Sequence, residues 1–450
     1  MKPRAVVVGG GLAGMAAALR LAAAGRSVTL FERRPFLGGR AFSFRDPESG
    51  AVVDNGQHVL VGACGRLRAF LARIGSPSGA FARQSTLALP ILDGDGRAAT
   101  LSAARLPPPL HLAPALLRYR HLGIRDRLAV VRDAAALARL ADRPALEDVP
   151  LGDWLDRRGA SSRSVERFWE PLVTPALNVP VREANLPLTA FFFERALWSG
   201  ASEGALWLPR VGLSEAIGEP GRRALEAAGV VVRAGERVEA IVVENGRASG
   251  VSLADGDVVA ADAVVSALPP RELDAALPAG DGYDRLGAAP IVNVYLWYDR
   301  TVAEGPFAGT FGSPLQWVFD RERLLGAERS GGPCLGISLS AADEWIGRSK
   351  TEIAERLDEA VGRVFPRRRG ARLLESAVVK EPRATFRAGP GCARSRPGPR
   401  GPVEGLWLAG DWTDTGWPAT MEGAVRSGET AAAAAAGLLA EAASVPGARR

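Results

Sequence analysis

Apolar and polar positions along this chain change period several times, and the changes mark its parts. Residues 4–33 read as strand, turn, helix and strand. An apolar run from Ala5 meets a glycine turn, an Ala/Leu-rich helix reaches about Ala24, and SVTLFE follows Gly25. From about 85 to 200 the texture is mostly helical. LPPPLHLAPALLRYRHL and RLAVVRDAAALARLA lead to an aromatic-rich helical stretch around Phe168, Trp169 and Phe191 to Phe193, with breaks at Pro107 to Pro109 and Pro144. Residues 205–270 return to β/α character: a helix near Glu215 to Ala228, then short strands with hairpin turns at Asn245-Gly246 and Asp255-Gly256. From 290 to 386, strands such as IVNVYLWYD and LGISLS surround a helix near 350–364. The chain closes with a strand, a Gly/Asp-rich loop and a long helix, and the segment before that strand, 393–405, reads as a linker.

The interleaving predicts an α/β protein of two domains. One is a Rossmann-like, dinucleotide-binding domain built from three chain segments, 1–84, 205–285 and 393–450. The other, 85–204 with 286–392, is an α+β substrate domain with a mixed sheet and a helical insertion. At 450 residues the chain is long enough for two or three cores.

Composition narrows the class. The chain is 47% hydrophobic with a formal net charge of +6, and its basic side is almost all arginine, with Lys2, Lys350 and Lys380 the lysines. The arginines are interleaved with acids and no nucleic-acid recognition motif accompanies them, which argues against nucleic acid as partner. Cys64, Cys334 and Cys392 are far apart and odd in number, so neither a disulfide framework nor a metal site is expected, and a reducing cytoplasm is. The N-terminal apolar run is a buried strand rather than a signal peptide. No stretch approaches the ~18 apolar residues of a spanning helix; the Ala-rich run from Thr430 to Ala440 comes nearest, bounded by Glu429 and Glu441. Membrane contact is therefore expected to be peripheral.

Gly9, Gly11 and Gly14 satisfy G-x-G-x-x-G across Leu12 and Ala13. The first glycine permits the turn off the strand, the second lets backbone approach a pyrophosphate, and the third lets helix and strand pack closely. The helix N-terminus offers free N–H groups to phosphates. Glu32 ends the second strand, where a carboxylate can accept from ribose hydroxyls and disfavours a 2′-phosphate, which leaves FAD and NAD open.

The continuation, Glu32-Arg33-Arg34 and then Gly38-Gly39-Arg40, resembles the extended signature of the amine oxidase and phytoene desaturase flavoprotein superfamily, and turns the choice to FAD. The resemblance implies further contacts. Asn55-Gly56-Gln57-His58 would pass beside the isoalloxazine, the backbone at Val238 would receive adenine, and Gly410-Asp411 would meet ribityl and pyrophosphate. Met421-Glu422-Gly423-Ala424 would turn a helix start to the flavin N1/C2=O edge. Residues 261–269 resemble the strand returning to the substrate domain. No Cys or His falls in the distal block, so the FAD is expected to be non-covalent.

Three blocks, VVDNGQHVLVGA, FWEPLVTPALNVPVREAN and LWLAGDWTDTGWPATMEGAVRSG, closely resemble hydroxysqualene dehydroxylases. That implies squalene or hopanoid synthesis, with a reduced flavin delivering hydride as the substrate hydroxyl leaves. The departing hydroxyl needs a proton; His58 is the first candidate for catalytic acid, with Glu170 and Glu194 behind it. An external electron donor is implied, since no second G-x-G-x-x-G is present, and upstream and downstream terpene enzymes are possible partners. A thirty-carbon terpene must be drawn from a bilayer, so peripheral association with the inner membrane is expected, through helices near 105–140. There Leu110, Leu112, Leu116 and Leu117 adjoin Arg118, Arg120, Arg125 and Arg127; a helix merely covering the substrate cavity would read the same way. Phe191, Phe192, Phe193, Trp198 and Trp207 fit either a tunnel or plain core. Carotenoid desaturation or isomerisation, amine oxidation between Trp412 and Trp417, and a non-catalytic flavoprotein scaffold remain as alternatives.

Overall fold

A computed structural model describes residues 3–47, 50–108 and 110–437. Five parallel strands form the first sheet, in the spatial order Val231–Ala234, Ser27–Glu32, Arg4–Val8, Ala263–Ser266, Leu406–Leu408. Apart from the edge strands, where Val231 is exposed and Val232 and Trp407 are half-buried, their apolar side chains are buried on both faces, as a parallel sheet between helices requires. The chain enters this sheet three separate times. The helix Leu12–Ala23 packs against the closing helix Met421–Ala435 through small residues, Ala13, Ala16 and Ala17 facing Ala431 and Ala432, all buried. Alanines allow the two backbones to approach, which explains the Ala-rich composition without a membrane. The end of that run, from Leu438 onward, lies outside the described residues.

The second sheet has seven strands, ordered Leu373–Phe386, Ala288–Tyr298, Cys334–Leu339, Trp317–Asp320, Phe307–Thr310, Ala88–Leu92, Ala98–Ser102. Its pairs are antiparallel except Phe307–Thr310 with Ala88–Leu92, so the sheet is mixed. Period two decides the role of each face. Val292, Val294 and Leu296 pack with Ile353, Leu357 and Val361 of the helix Lys350–Val364, which Ser349 caps through the Glu352 N–H at 3.1 Å. Ile291 and Asn293, on the opposite face, look into the main cavity. A small sheet, Leu60–Val61, Leu206–Pro209 and Phe81–Arg83, ties the first segment to the second.

Two sequence expectations change. The region predicted as mostly helical opens with a hairpin, Ala88–Leu92 and Ala98–Ser102, whose alternating Leu89, Ile91, Ala99 and Leu101 are buried. The proline- and leucine-rich stretch that follows masked this short period-two signal. Residues 393–405, read as a linker, run largely along the surface but are tied down at Arg396, which is 6% exposed and bonded to the loop that starts at Asp411. Proline and glycine there shape a tight path rather than a free one.

Candidate functional site

The glycine turn is built by contact. A Cβ on Gly14 would lie 1.8 Å from the Gly9 carbonyl oxygen, so the helix can close on the strand end only with glycine there. Gly11 precedes the helix without any side-chain cap, which leaves first-turn amides free for a ligand. The second turn stacks on the first: Gly38 N–H donates to Gly10 O at 2.9 Å, and a Cβ on Gly39 would lie 2.9 Å from Gly11 Cα. Glu32 is buried, and its two oxygens accept from Gly10 N–H at 2.8 Å and Arg34 N–H at 2.9 Å. Each oxygen keeps a lone pair for a ribose hydroxyl. Glu236 N–H donates to Glu32 O at 3.0 Å, which brings the Val238 strand beside it.

Arg40 reaches across the molecule to Asp411, Nη2 to Oδ1 2.5 Å. That carboxylate holds the guanidinium pKa above its ordinary value against the cost of burial. Two motifs 371 positions apart thus share one ion pair.

Asp54 pins the next loop. Its Oδ1 accepts from Ser43 Oγ at 2.7 Å and Leu213 N–H at 3.0 Å, its Oδ2 from Arg321 Nη1 at 3.2 Å, and its carbonyl from Tyr295 Oη at 2.8 Å. Both members of the Asp54–Arg321 pair have side chains 3% exposed. From that pin run Asn55 to His58. Asn293 holds their backbone, donating to Asn55 O at 3.3 Å and accepting from Gln57 N–H at 3.4 Å. His58 Nδ1 lies 2.8 Å from Gly56 O, which makes it the protonated nitrogen of the neutral ring and leaves Nε2 a lone pair. Burial pushes the His58 pKa down, only partly offset by the Gly56 carbonyl. Gln57 Oε1 is buried with no hydrogen-bond partner among the described residues.

The closing helix supplies the far end. Thr420 caps it, accepting from Gly423 N–H at 3.1 Å, and Ala424 N–H donates to Thr420 O. The amides left without an acceptor among the described residues are therefore those of Met421 and Glu422, the first two of the expected Met421-Glu422-Gly423-Ala424, while those of Gly423 and Ala424 are bonded to Thr420. The Glu422 carboxylate is fully buried and turned away, accepting from Leu67 N–H at 2.7 Å and Arg426 Nε at 2.6 Å.

These parts enclose one cavity of about 630 Å³. Of the sequence-predicted cofactor residues, Gly14 and Gly423 stand behind the wall; the others, from Gly9 and Glu32 through Arg33, Arg40 and His58 to Val238, Asp411 and Ala424, line it. The arrangement fits FAD: a glycine cradle with free amides, a carboxylate at one end, and a second set of free amides at the other. Beyond the His58 loop the wall is apolar, with Leu89, Leu172, Phe192, Leu197 and Phe319. Phe192 faces the cavity, whereas Phe193 and Trp198 stack within the core and Trp207 lies between Arg68 and Arg83. Glu170 and Glu194 do not line it; Glu170 accepts from Thr174 Oγ1 and Val181 N–H. Trp412 and Trp417 do line it, each in contact with another ring, Trp412 tilted at 56° to Tyr283 and Trp417 edge-on to Phe191. Sequence reading missed Asn293, Asp54 as a hub, and Arg321. Asn293 interrupts the apolar strand IVNVYLWY, a signal that was available.

Residues 12–436 match the flavin containing amine oxidoreductase family. The chain is 31% identical to the hydroxysqualene dehydroxylase of Rhodopseudomonas palustris over 95% of its own length and 96% of that protein. It is 28% identical to the 15-cis-phytoene desaturase of Solanum lycopersicum, over 95% of this chain and 77% of that one. Among solved structures, an oxidoreductase from Methanosarcina mazei superposes with a TM-score of 0.71 at 19% identity, covering 94% of this chain and 98% of that one.

Proposed function

The chain belongs to the flavin-containing amine oxidoreductase family, and we propose that it reductively removes the hydroxyl of hydroxysqualene to give squalene. It is an FAD-dependent oxidoreductase, and its relatives act in isoprenoid chemistry. FAD held in this cavity and reduced by an external donor would supply the hydride; His58 supplies the proton that lets the oxygen leave as water. The observation that carries this reading is the buried Gln57 Oε1, without a hydrogen-bond partner among the described residues, beside His58 where the cavity passes from its polar end to the apolar wall of Leu89, Leu172, Phe192, Leu197 and Phe319. A hydrocarbon would leave those groups desolvated and unbonded, whereas an alcohol satisfies them. Anaerobic incubation of the reduced holoenzyme with hydroxysqualene tests it: squalene formed with stoichiometric flavin oxidation is expected. Conversion of phytoene alone, by oxidised flavin, would overturn it. Gln57→Leu is expected to lower kcat/KM for the alcohol by roughly 10-fold or more with FAD content unchanged.

The pH dependence follows from His58. Its added proton goes to Nε2, since Nδ1–H is held by Gly56 O. Burial keeps the pKa below the ordinary 6.5, so the acid form is filled as pH falls through that lower value. The rate should therefore be flat on the acid side and fall about tenfold per unit above it. His58→Asn should remove this limb and cost roughly 10²-fold; a limb of opposite slope would assign His58 a hydrogen-bond-accepting role instead. The same shift bears on stability: below 6.5 the unfolded chain binds a proton that the folded chain resists, so His58 destabilises the fold as pH drops.

The membrane part of the reading rests on residues 106–128. Among the described residues no helix is long and apolar enough to cross a membrane. Yet of the nine exposed large hydrophobic side chains among the described residues, five, Leu106, Leu110, Leu117, Ile124 and Leu128, fall in this one stretch, beside the exposed Arg105, Arg118, Arg120 and Arg125. Leu112 and Leu116 are buried, so the segment packs with one face and presents the other. Such clustering favours docking on an anionic bilayer over chance exposure. In vesicle flotation with anionic lipid, a Leu110→Glu/Leu117→Glu/Leu128→Glu protein is expected to bind at least ~10-fold more weakly, with its flavin spectrum unchanged. Equal flotation would remove the membrane from the reading.

A further inference from the structure

Arg396 is a buried cation whose hydrogen bonds, among the described residues, all go to neutral oxygens. It is 6% exposed; its Nε donates to Trp412 O at 3.4 Å, and its Nη2 to Asp411 O at 3.3 Å, to Thr413 O and to Thr415 Oγ1 at 3.2 Å. The Phe386 ring lies under the guanidinium at 4.7 Å. Three consecutive carbonyls converging on one point repel one another unless a cation sits there, so this loop shape depends on Arg396. The consequence appears on the cavity side. Asp411 and Trp412 line the cavity, and their amide N–H groups have no acceptor among the described residues.

We propose that Arg396 is a positioning residue for FAD: it clasps the Asp411–Thr415 loop from behind, presents the Asp411 and Trp412 amides and the Asp411 carboxylate to the cofactor, and sets a positive charge one peptide layer from it. Arginine is required because a planar fork serves several oxygens at once, which a lysine ammonium on a flexible stem does not. The proposal concerns cofactor binding and stands whichever isoprenoid the enzyme takes.

The test uses purified holoprotein and follows FAD release on dilution by the rise in flavin fluorescence, with the flavin midpoint potential measured alongside. Arg396→Lys should release FAD at least ~10-fold faster, and Thr415→Val, which removes one acceptor, about threefold faster. The double variant should lose less than the two single losses combined, because the Arg396–Thr415 contact is shared, even though Thr415 Oγ1 also accepts from Trp417 N–H at 3.2 Å. Arg396→Gln, which removes the charge that Arg396→Lys keeps, should shift the potential negative, since less positive charge then stands near the reduced, anionic flavin. Should Arg396→Lys fail to fold, Thr415→Val still decides the matter. Release within twofold of the parent for the variants that fold, or losses that add independently, would make Arg396 structural only and overturn the proposal.

Discussion

Gly14→Ala is expected to yield protein without FAD. The added Cβ would stand 1.8 Å from the Gly9 carbonyl oxygen, and both partners are backbone, so neither can swing aside. Relief requires opening the strand–helix turn, which moves the free amides from the phosphates they would bind. A loss of affinity of ~100-fold or more should follow, read as flavin absorbance per protein after purification. Gly25→Ala is the control. Gly25 has a positive φ, +78°, but nothing lies within 4 Å of its would-be Cβ. It should cost about 1 kcal/mol of stability and keep its flavin. A Gly14→Ala protein that retains a full complement of FAD would refute this account of the turn.

The second large effect is expected at the buried pair Asp54–Arg321. Arg321→Met leaves a carboxylate 2% exposed without its cation, a change that typically costs 3–5 kcal/mol, of order ~4 here. The apparent unfolding midpoint of the holoprotein should fall markedly. Adding Asp54→Asn to Arg321→Met should recover much of the loss, because the penalty arises from an unpaired charge rather than from the missing guanidinium contacts. Equal stability of Arg321→Met and the parent would show that the pair contributes nothing. Since Asp54 also anchors the first residue of the Asn55–His58 loop, any folded Arg321→Met protein should show a perturbed flavin spectrum as well.

The local parts of the site were legible in sequence because they are made by neighbours. Gly9, Gly11, Gly14 and Glu32 lie within one strand–turn–helix–strand unit, and backbone sterics dictate glycine at Gly9 and Gly14, where a Cβ would lie 2.9 and 1.8 Å from a carbonyl oxygen. The long helices and parallel strands were equally readable from their periods. The 88–102 hairpin was not, since its alternation covers only five residues on each side and adjoins a helical, proline-rich run. Of the four residues expected to open the closing helix toward the cofactor, Gly423 and Ala424 have their amides bonded to Thr420, because which first-turn amides stay free depends on the cap.

What the amino-acid sequence determined alone is therefore a nucleotide-binding unit at one end of the chain, and, by its wording, the flavin family to which the chain belongs. Tertiary structure decided everything that depends on distant residues meeting. It joined Arg40 to Asp411, hung the His58 loop on Asp54, Arg321 and Asn293, and turned the apparent linker around Arg396 into the back of the site. The physical reason is the same in each case. A buried charge or amide must find a partner wherever the fold supplies one, and that partner's position in the chain carries no local pattern to read.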